Sequence, residues 1–569
     1  MGYDDVIKYL GDFGRYQKQI YFLLCLPAIS CAFHKLAGVF LLARPDFRCV
    51  LPFENDSQNQ TRFENFNKTL WNLAYPYDQI TETYQVCEYY DVDYNEGYLN
   101  GSTVSVPPIN HTKTCEHFVY DQSVYKSSAV TEWNMVCSRQ LLSATSDSLF
   151  MVGVLLGSIV FGQLSDRYGR KPIFFASLVI QVVFGVLAGV APEYFTYTIS
   201  RMIVGATTSG VFLVAYVIAM EMVGSSYRLF AGVACQMFFS VGFMLTAGFA
   251  YFIRDWRWLQ IALTLPGVLF MCYHWIIPES ARWLLSKGRK DEAIVVIEKA
   301  AQVNNVTIPQ EVYENLIDES AEKKNDAEAN KNEKAAAASV FDLLRYPNLR
   351  RKTLIIFFDW FVNSGVYYGL SWNTNNLGGN VLLNFMISGA VEIPAYILLL
   401  LTLNRWGRRT ILCGCMLVAG VALLLTIIVP AYLNWLIILF AMIGKLAITA
   451  SYGTIYIFSA EQFPTVVRNV GLGAASMVAR IGGILAPYLN LLGQIWRPLP
   501  LIICGALAFL GGLLSLMLPE TLNKPMPETI EDGEKFGKRR NANDLSETGE
   551  ELTSMVAAAG GQQANGKAK

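Results

Sequence analysis

The chain has 569 residues, of which 53% are hydrophobic and only 16% charged, with a formal net charge of −1 and a mean hydropathy of +0.32. Soluble domains carry about 25% charged residues, so an ordinary soluble enzyme is excluded. The near-zero charge also argues against a nucleic-acid partner.

Runs of about 20 apolar residues span a bilayer core. Twelve such runs follow one another, at 21–43, 142–164, 172–192, 195–220, 229–252, 258–277, 352–372, 380–402, 410–430, 432–458, 469–492 and 500–518. Residues 1–20 open acidic, as "MGYDDVIKYLGDFGRYQKQ", and are too long for the n-region of a cleaved signal. They are read as a cytosolic N-terminus. The first run, 21–43, carries His34 and Lys35; Lys35 is expected to snorkel to the outer interface, and His34 to be structural rather than a proton relay.

The stretch 44–141 is acidic and carries five N-x-S/T sequons, at Asn55, Asn59, Asn67, Asn100 and Asn110. Such a cluster points to an extracellular, glycosylated loop. Four of the eleven cysteines lie here, Cys49, Cys87, Cys115 and Cys137. In an oxidising compartment they imply two disulfides, with three connectivities open. The other cysteines sit in apolar runs and read as packing residues.

Runs two to six fill 142–277, and a polar linker follows at 278–351. Runs seven to twelve fill 352–518, and the polar tail 519–569 reads as disordered and cytosolic. Orientation follows from the basic turns "SDRYGRK" and "NRWGRR", which belong on the cytosolic side. The linker lies on that side too, so its sequon at Asn305 is expected to stay bare. The fold expected is an all-α membrane protein of twelve transmembrane helices.

Those basic turns repeat. "GQLSDRYGRKP" at 162–172 is echoed by "LNRWGRRT" at 403–410, placing Gly169 and Gly407 238 positions apart. "EMVGSSYR" (Glu221 to Arg228) matches "EQFPTVVR" (Glu461 to Arg468) at an offset of 240, and "PES" at 278–280 matches "PET" at 519–521 at 241. Three matches in one order imply two homologous six-helix halves, the arrangement of secondary transporters that rock about a central site. Gly169 and Gly407 permit tight turns. Asp166 is expected to face the positive end of a neighbouring helix. Arg167 and Arg170 are expected to pair with Glu221 or Glu461, and with Arg228, Arg408 and Arg468 they form the expected cytosolic gate. Lys171 reads as a topology marker.

"GQLSDRYGRKP" resembles the signature between the second and third helices of the major facilitator superfamily. "TEWNMVC" (131–137), "DWRWLQ" (255–260), "PESARWLL" (278–285) and "EQFPTVVRNVGLG" (461–473) resemble its organic-ion transporters of the solute carrier class, and the opening stretch resembles insect organic cation transporters. The resemblance covers residues 1–522 and implies the major facilitator fold. One departure is Asn404, where many members carry an acidic residue, which puts symmetric gating in doubt.

Ionisable residues within a span are costly, about 2.5–3.5 kcal/mol each on insertion scales, so each implies a partner or a function. Glu392, Lys445 and Arg480 fall mid-span in runs eight, ten and eleven. One negative and two positive charges leave a surplus that a substrate carboxylate or chloride would offset. Trp360 and Tyr367 offer faces to a quaternary ammonium. The resemblance aligns Trp360, Tyr367, Glu392, Gln236 and Phe239 with cavity-lining residues. It gives Arg480 and Lys445 to the carnitine-type and anion-type branches, whereas the second lysine of the anion branch is Tyr396 here. It therefore implies a plasma-membrane transporter of organic cations and carnitine-like zwitterions. Glu392 and the aromatics would hold the cation and Arg480 the carboxylate.

An organic anion exchanger is the alternative within the family; a receptor would not need mirrored halves. No G-x-x-x-x-G-K-[ST] occurs, so no nucleotide-driven pump is expected. The four histidines have no metal-ligand spacing within a span, so no resident cofactor is expected. Uniport, exchange and coupling to Na⁺ are all compatible with the sequence.

Overall fold

A computed structural model of the chain describes residues 3–54, 63, 68–78, 83–92, 94, 111–310, 312–313, 340–430 and 432–537. The first half comprises α1 (Tyr3–Tyr9), α2 (Arg15–Leu36), α3 (Gly38–Leu41), α4 (Lys68–Ala74), α5 (Ala129–Glu132), α6 (Leu141–Tyr168), α7 (Arg170–Gly189), α8 (Tyr194–Met222), α9 (Arg228–Phe252), α10 (Trp256–Thr264) and α11 (Pro266–Met271). α12 (Ala281–Ser286) and α13 (Lys290–Asn304) belong to the linker. The second half comprises α14 (Val340–Arg345), α15 (Pro347–Trp372), α16 (Val381–Ala390), α17 (Glu392–Trp406), α18 (Arg408–Leu425), α19 (Asn434–Gln462), α20 (Arg468–Leu491), α21 (Leu499–Ser515) and α22 (Ile530–Lys535).

Helical chain occupies each of the twelve expected ranges. Among the described residues, nine segments are long and apolar enough to cross a membrane, and Leu499–Ser515 is apolar but shorter. The sixth range is interrupted between α10 and α11, where Pro266 supplies no N–H. α16 and α17 are divided for the same reason. Pro394 cannot donate to the carbonyl four residues back, so the helix breaks at Val391 and Glu392 starts a new first turn.

Close packing follows from small residues. Gly153 and Gly157 in α6 lie against the backbone of Met202 and Ala206 in α8, where any Cβ would collide. Between the halves, α6 packs on α20 and α9 packs on α16 and α17.

The loop after α3 holds three two-stranded antiparallel ribbons: β1 (Phe47–Cys49) with β6 (Phe118–Tyr120), β2 (Tyr77–Asp78) with β3 (Thr83–Tyr84), and β4 (Glu88–Tyr90) with β5 (Thr112–Thr114). Cys49 pairs with Cys115 and Cys87 with Cys137, each with Cα atoms 5.7 Å apart; this selects one of the three open connectivities. Glu132 of α5 fastens the loop to α10 by bonds to Trp256 Nε1 at 2.8 Å and Arg257 Nη2 at 2.5 Å. Asn55, Asn59, Asn67, Asn100 and Asn110 lie outside the described residues.

The tail is structured where the sequence reads as disordered. Residues 519–537 form a strap ending in α22, which Thr529 caps in a capping box with Asp532. Lys352 Nζ donates to the carbonyls of Gly533 at 2.6 Å and Phe536 at 3.0 Å, and Thr465 N donates to Pro527 O at 3.0 Å. These long-range bonds, invisible in local composition, order the strap; residues 538–569 lie outside the described range.

Candidate functional site

Buried charge gathers where the halves meet. Glu392, at the start of α17, is 0% exposed and Lys445 of α19 is 1% exposed, with their charged atoms 3.1 Å apart. Tyr367 OH donates to Glu392 Oε1 at 2.6 Å, and Ser240 Oγ, from the other half, donates to Oε2 at 2.6 Å. Lys445 Nζ donates to Ser371 Oγ at 2.5 Å and lies 3.4 Å from the Tyr367 ring centroid and 5.5 Å from that of Phe243. The attraction of such a pair repays desolvation only when the remaining polar atoms are also satisfied, and here each partner has further ligands.

The sequence reading offered Glu392 and Tyr367 to a substrate cation; in this conformation the chain's own Lys445 occupies both. Trp360 is buried as well. Its Nε1 donates to Ser459 Oγ at 2.9 Å, and its ring lies edge-on to Tyr456 at 4.3 Å. Phe239 is buried and Gln236 half-buried on the facing helix, α9.

Arg480 of α20 stands apart. It is half-buried and lies beside Tyr368, Tyr452 and Tyr456. Its Nε is buried without a partner, and among the described residues it is paired with no carboxylate. Tyr456 is 46% exposed, so this side of the cluster is not covered by protein.

Lys35 corrects an expectation. Its ammonium does not snorkel outward but turns into the bundle, between rings of α8 and α9. It is 8% exposed, with its ammonium 5.7 Å from the Phe212 ring centroid and 5.6 Å from that of Phe239. His34 is buried and its carbonyl accepts from Arg201 Nη1 at 3.0 Å, a packing role. Asp147, Arg201 and Asp359 are ionisable residues that the sequence reading missed. Asp147 and Arg201 approach to 4.0 Å, and Asp359 accepts from Ser515 Oγ at 2.7 Å. The signal that would have found them is the one applied to Glu392, a charge inside an apolar run.

The repeated turns form a second constellation on the face opposite the loop. Gly169 and Gly407 have φ of 117° and 92°, a region that favours glycine. Arg170 bonds Asp166 and reaches Glu221 at 3.4 Å. Arg408 reaches Glu461 at 3.2 Å. Arg228 pairs with Asp4 at 2.6 Å, and Arg468 bonds Thr465 Oγ1 at 3.2 Å. Every one of these ties lies within one half, so of the two partners expected for Arg170 it is Glu221, not Glu461, that it meets. Arg167 instead lies over the Tyr168 ring at 5.3 Å.

The helix-end role expected of Asp166 falls to another residue, because the Asp166 side chain is 71% exposed and turned to Arg170. Glu279 of "PES" accepts from the backbone N–H of Arg170 at 3.0 Å and of Lys171 at 3.1 Å. Glu520 of "PET" accepts from those of Arg408 at 2.9 Å and Arg409 at 3.1 Å. Each carboxylate satisfies orphan donors at the first turn of a helix, where the dipole favours negative charge. Burial raises the Glu520 carboxyl, but the backbone N–H groups of Leu522, Thr521, Arg408 and Arg409 outweigh it and hold it below the usual carboxylate range.

Four hydrogen bonds join the halves among the described residues. Asn375 Nδ2 donates to Val39 O at 3.2 Å, Ser148 Oγ to Ile484 O at 2.8 Å, Tyr488 OH to Thr145 Oγ1 at 3.1 Å, and Ser240 to Glu392 as above. They lie between mid-bundle and the loop face, while the turn clusters on the opposite face tie each half to itself.

Comparison with known proteins gives a consistent picture. Residues 95–532 match the family model "Sugar (and other) transporter". An organic cation transporter protein of Drosophila melanogaster is 74% identical over 98% of this chain and 99% of its own. A beta-alanine transporter of the same organism is 35% identical over 94% of this chain and 89% of its own. The human organic cation/carnitine transporter 2 is 36% identical over 93% of both chains. Among solved structures, the inward-open xylose transporter XylE of E. coli aligns with TM-score 0.59 at 14% identity, covering 92% of this chain and all of its own.

Proposed function

This chain belongs to the sugar (and other) transporter family, and on that premise we propose that it carries small organic cations and carnitine-like zwitterions across the plasma membrane by alternating access. It is a multi-pass membrane transporter with the major facilitator fold, not an enzyme. The names of its relatives, for organic cations, carnitine and β-alanine, support small ammonium-bearing substrates. Carnitine and β-alanine also carry a carboxylate.

The observation that carries the zwitterion half is Arg480. It is a half-buried guanidinium beside three phenols, with no carboxylate partner among the described residues. Such a group is costly inside a membrane unless a ligand completes it. In this reading Arg480 takes the substrate carboxylate, the rings of Tyr452 and Tyr456 receive the ammonium, and Glu392 is released to a cation when Lys445 moves aside. The loop 44–141 is extracellular and glycosylated, both termini are cytosolic, and the Arg170–Glu221 and Arg408–Glu461 clusters steady the cytosolic gate. Coupling to Na⁺ belongs to the same proposal, since carnitine-type uptake against a gradient needs a driving ion. The surplus positive charge also favours a second reading, an organic anion exchanger.

Uptake by cells expressing the full chain decides among these. Tetraethylammonium, carnitine and an aromatic carboxylate are measured with and without Na⁺. Transport of the first two, with little of the third, is expected. Strong uptake of the aromatic carboxylate alone gives the protein to the anion reading.

A further inference from the structure

Two cations inside the bundle, Lys35 and Arg480, lack a carboxylate partner among the described residues, and they come from opposite halves. We propose that Lys35 of α2 and Arg480 of α20 form a divided anion site that holds the carboxylate of the transported zwitterion, one cation supplied by each half. The proposal rests on the transport reading above and adds Lys35 as a residue that sets specificity.

Glu392 does not neutralise either cation. Lys445 lies 3.1 Å from it, and Tyr367 and Ser240 satisfy its oxygens. Lys35 is enclosed by Cys31 on its own helix, Phe212 of α8, Phe239 of α9, Tyr452 of α19 and Arg480 of α20. None of these groups is a carboxylate. The two rings give the ammonium a weak attractive partner but leave its charge uncompensated.

Tyr452 lies within electrostatic reach of both Lys35 and Arg480, and the two cations are within reach of each other. Two like charges within electrostatic reach of each other inside a bundle repel, which costs the empty protein stability. An anion between them removes that repulsion and supplies the partner that the buried Arg480 Nε lacks. With Glu392 and Lys445 cancelling, Lys35 and Arg480 leave the site with two excess positive charges. A simple cation enters against that excess, whereas a carboxylate reduces it.

The division between halves matters mechanistically. A carboxylate gripped by α2 and α20 together favours conformations in which the halves approach, so differential binding of this group couples occupancy to rocking.

The test compares Lys35→Met and Lys35→Arg with the wild-type full chain at matched surface expression, using radiolabelled carnitine and tetraethylammonium. Lys35→Met should raise the ratio of carnitine KM to tetraethylammonium KM about tenfold, equivalent to about 1.4 kcal/mol. Lys35→Arg should return the ratio to within about twofold of wild type, since charge is kept. An unchanged ratio in Lys35→Met, or an equal loss of both substrates that arginine does not rescue, overturns the proposal and leaves Lys35 a packing residue. Repeating carnitine uptake with chloride replaced by gluconate separates the two sources of an anion. A carnitine KM independent of chloride is expected. A chloride dependence that Lys35→Met abolishes gives the site to inorganic anion and overturns the carboxylate assignment. If the wild type takes up neither probe, the transport reading itself fails, and the inference falls with it.

Discussion

Removing one member of the Glu392–Lys445 pair should be worse than removing both. The two charges are 3.1 Å apart and essentially without solvent. At an effective dielectric of about 20 their attraction is about 5 kcal/mol before desolvation is subtracted. Breaking a buried pair on one side typically costs about 3–5 kcal/mol, because the survivor is left buried and unpaired. Lys445→Met leaves Glu392 with two hydroxyl donors, Tyr367 and Ser240. Each hydrogen bond to a charged group offsets about 1.5–3 kcal/mol, so this variant falls at the lower end of the range. Glu392→Gln leaves an ammonium with Ser371 and the faces of Tyr367 and Phe243, and falls at the upper end. The double variant, Glu392→Gln with Lys445→Met, buries no net charge and should cost less than either single, a recovery of more than about 5 kcal/mol relative to the sum of the singles. The assay is the melting temperature of the purified full chain in detergent, with surface expression as a control. Losses in Tm that simply add in the double variant would show that the two side chains do not stabilise one another, and the reasoning would be wrong.

Arg480→Asp should weaken carnitine by well over tenfold at equal surface expression while sparing or improving tetraethylammonium, since a net 1.4 kcal/mol is already tenfold in affinity; an equal loss of both would make Arg480 a structural or gating residue. Glu520→Gln should destabilise the second half by about 1 kcal/mol, the usual value of a helix cap, reduced by solvent screening at this partly exposed site. Because the native carboxyl is held below its ordinary value of 4.5, its contribution is fully present above that pH and is lost as pH falls through the native value. Melting curves between neutral and acid pH should therefore show a shallower acid limb in Glu520→Gln than in wild type, and parallel curves would remove Glu520 from the account. Treatment with peptide-N-glycosidase should lower the apparent mass, and replacing Asn55, Asn59, Asn67, Asn100 and Asn110 together by Gln should abolish that shift. Asn305, which ends α13 in a left-handed C-cap at φ 55°, should stay bare, and a glycan there would reverse the orientation assigned to the chain.

The paired motifs were legible one residue at a time but not in their partners. Gly169 and Gly407 could be read as turn residues, since their neighbours in sequence demand a reversal between apolar runs. Glu279 and Glu520 were visible only as parts of a repeat. Their work at the first turns of α7 and α18 depends on chain ends about a hundred residues apart arriving at one point. Arg170 was open to Glu221 or Glu461, and it and Arg408 are each satisfied locally by the glutamate of their own half. The strap 519–537 read as disordered from its polarity, and it is ordered by carbonyls that satisfy Lys352 across the sequence.

By itself the sequence determined the class of the protein. A bilayer imposes runs of about 20 apolar residues and a basic bias on the cytosolic turns, and duplication leaves motifs at one offset; each is a local, countable property of the chain. Only the tertiary structure decided which charges are spent and which are free. Glu392, Lys445, Arg480 and Lys35 look alike in sequence, as single ionisable residues in apolar helices. Successive residues point about 100° apart around a helix, and in a helix that is apolar on every side no periodicity marks the face turned to lipid, to a neighbour or to the cavity. The packing angle of α17 against α19 therefore decides that Glu392 meets Lys445. The packing of α2 and α20 likewise brings Lys35 and Arg480 within electrostatic reach of each other, with no carboxylate paired to either among the described residues.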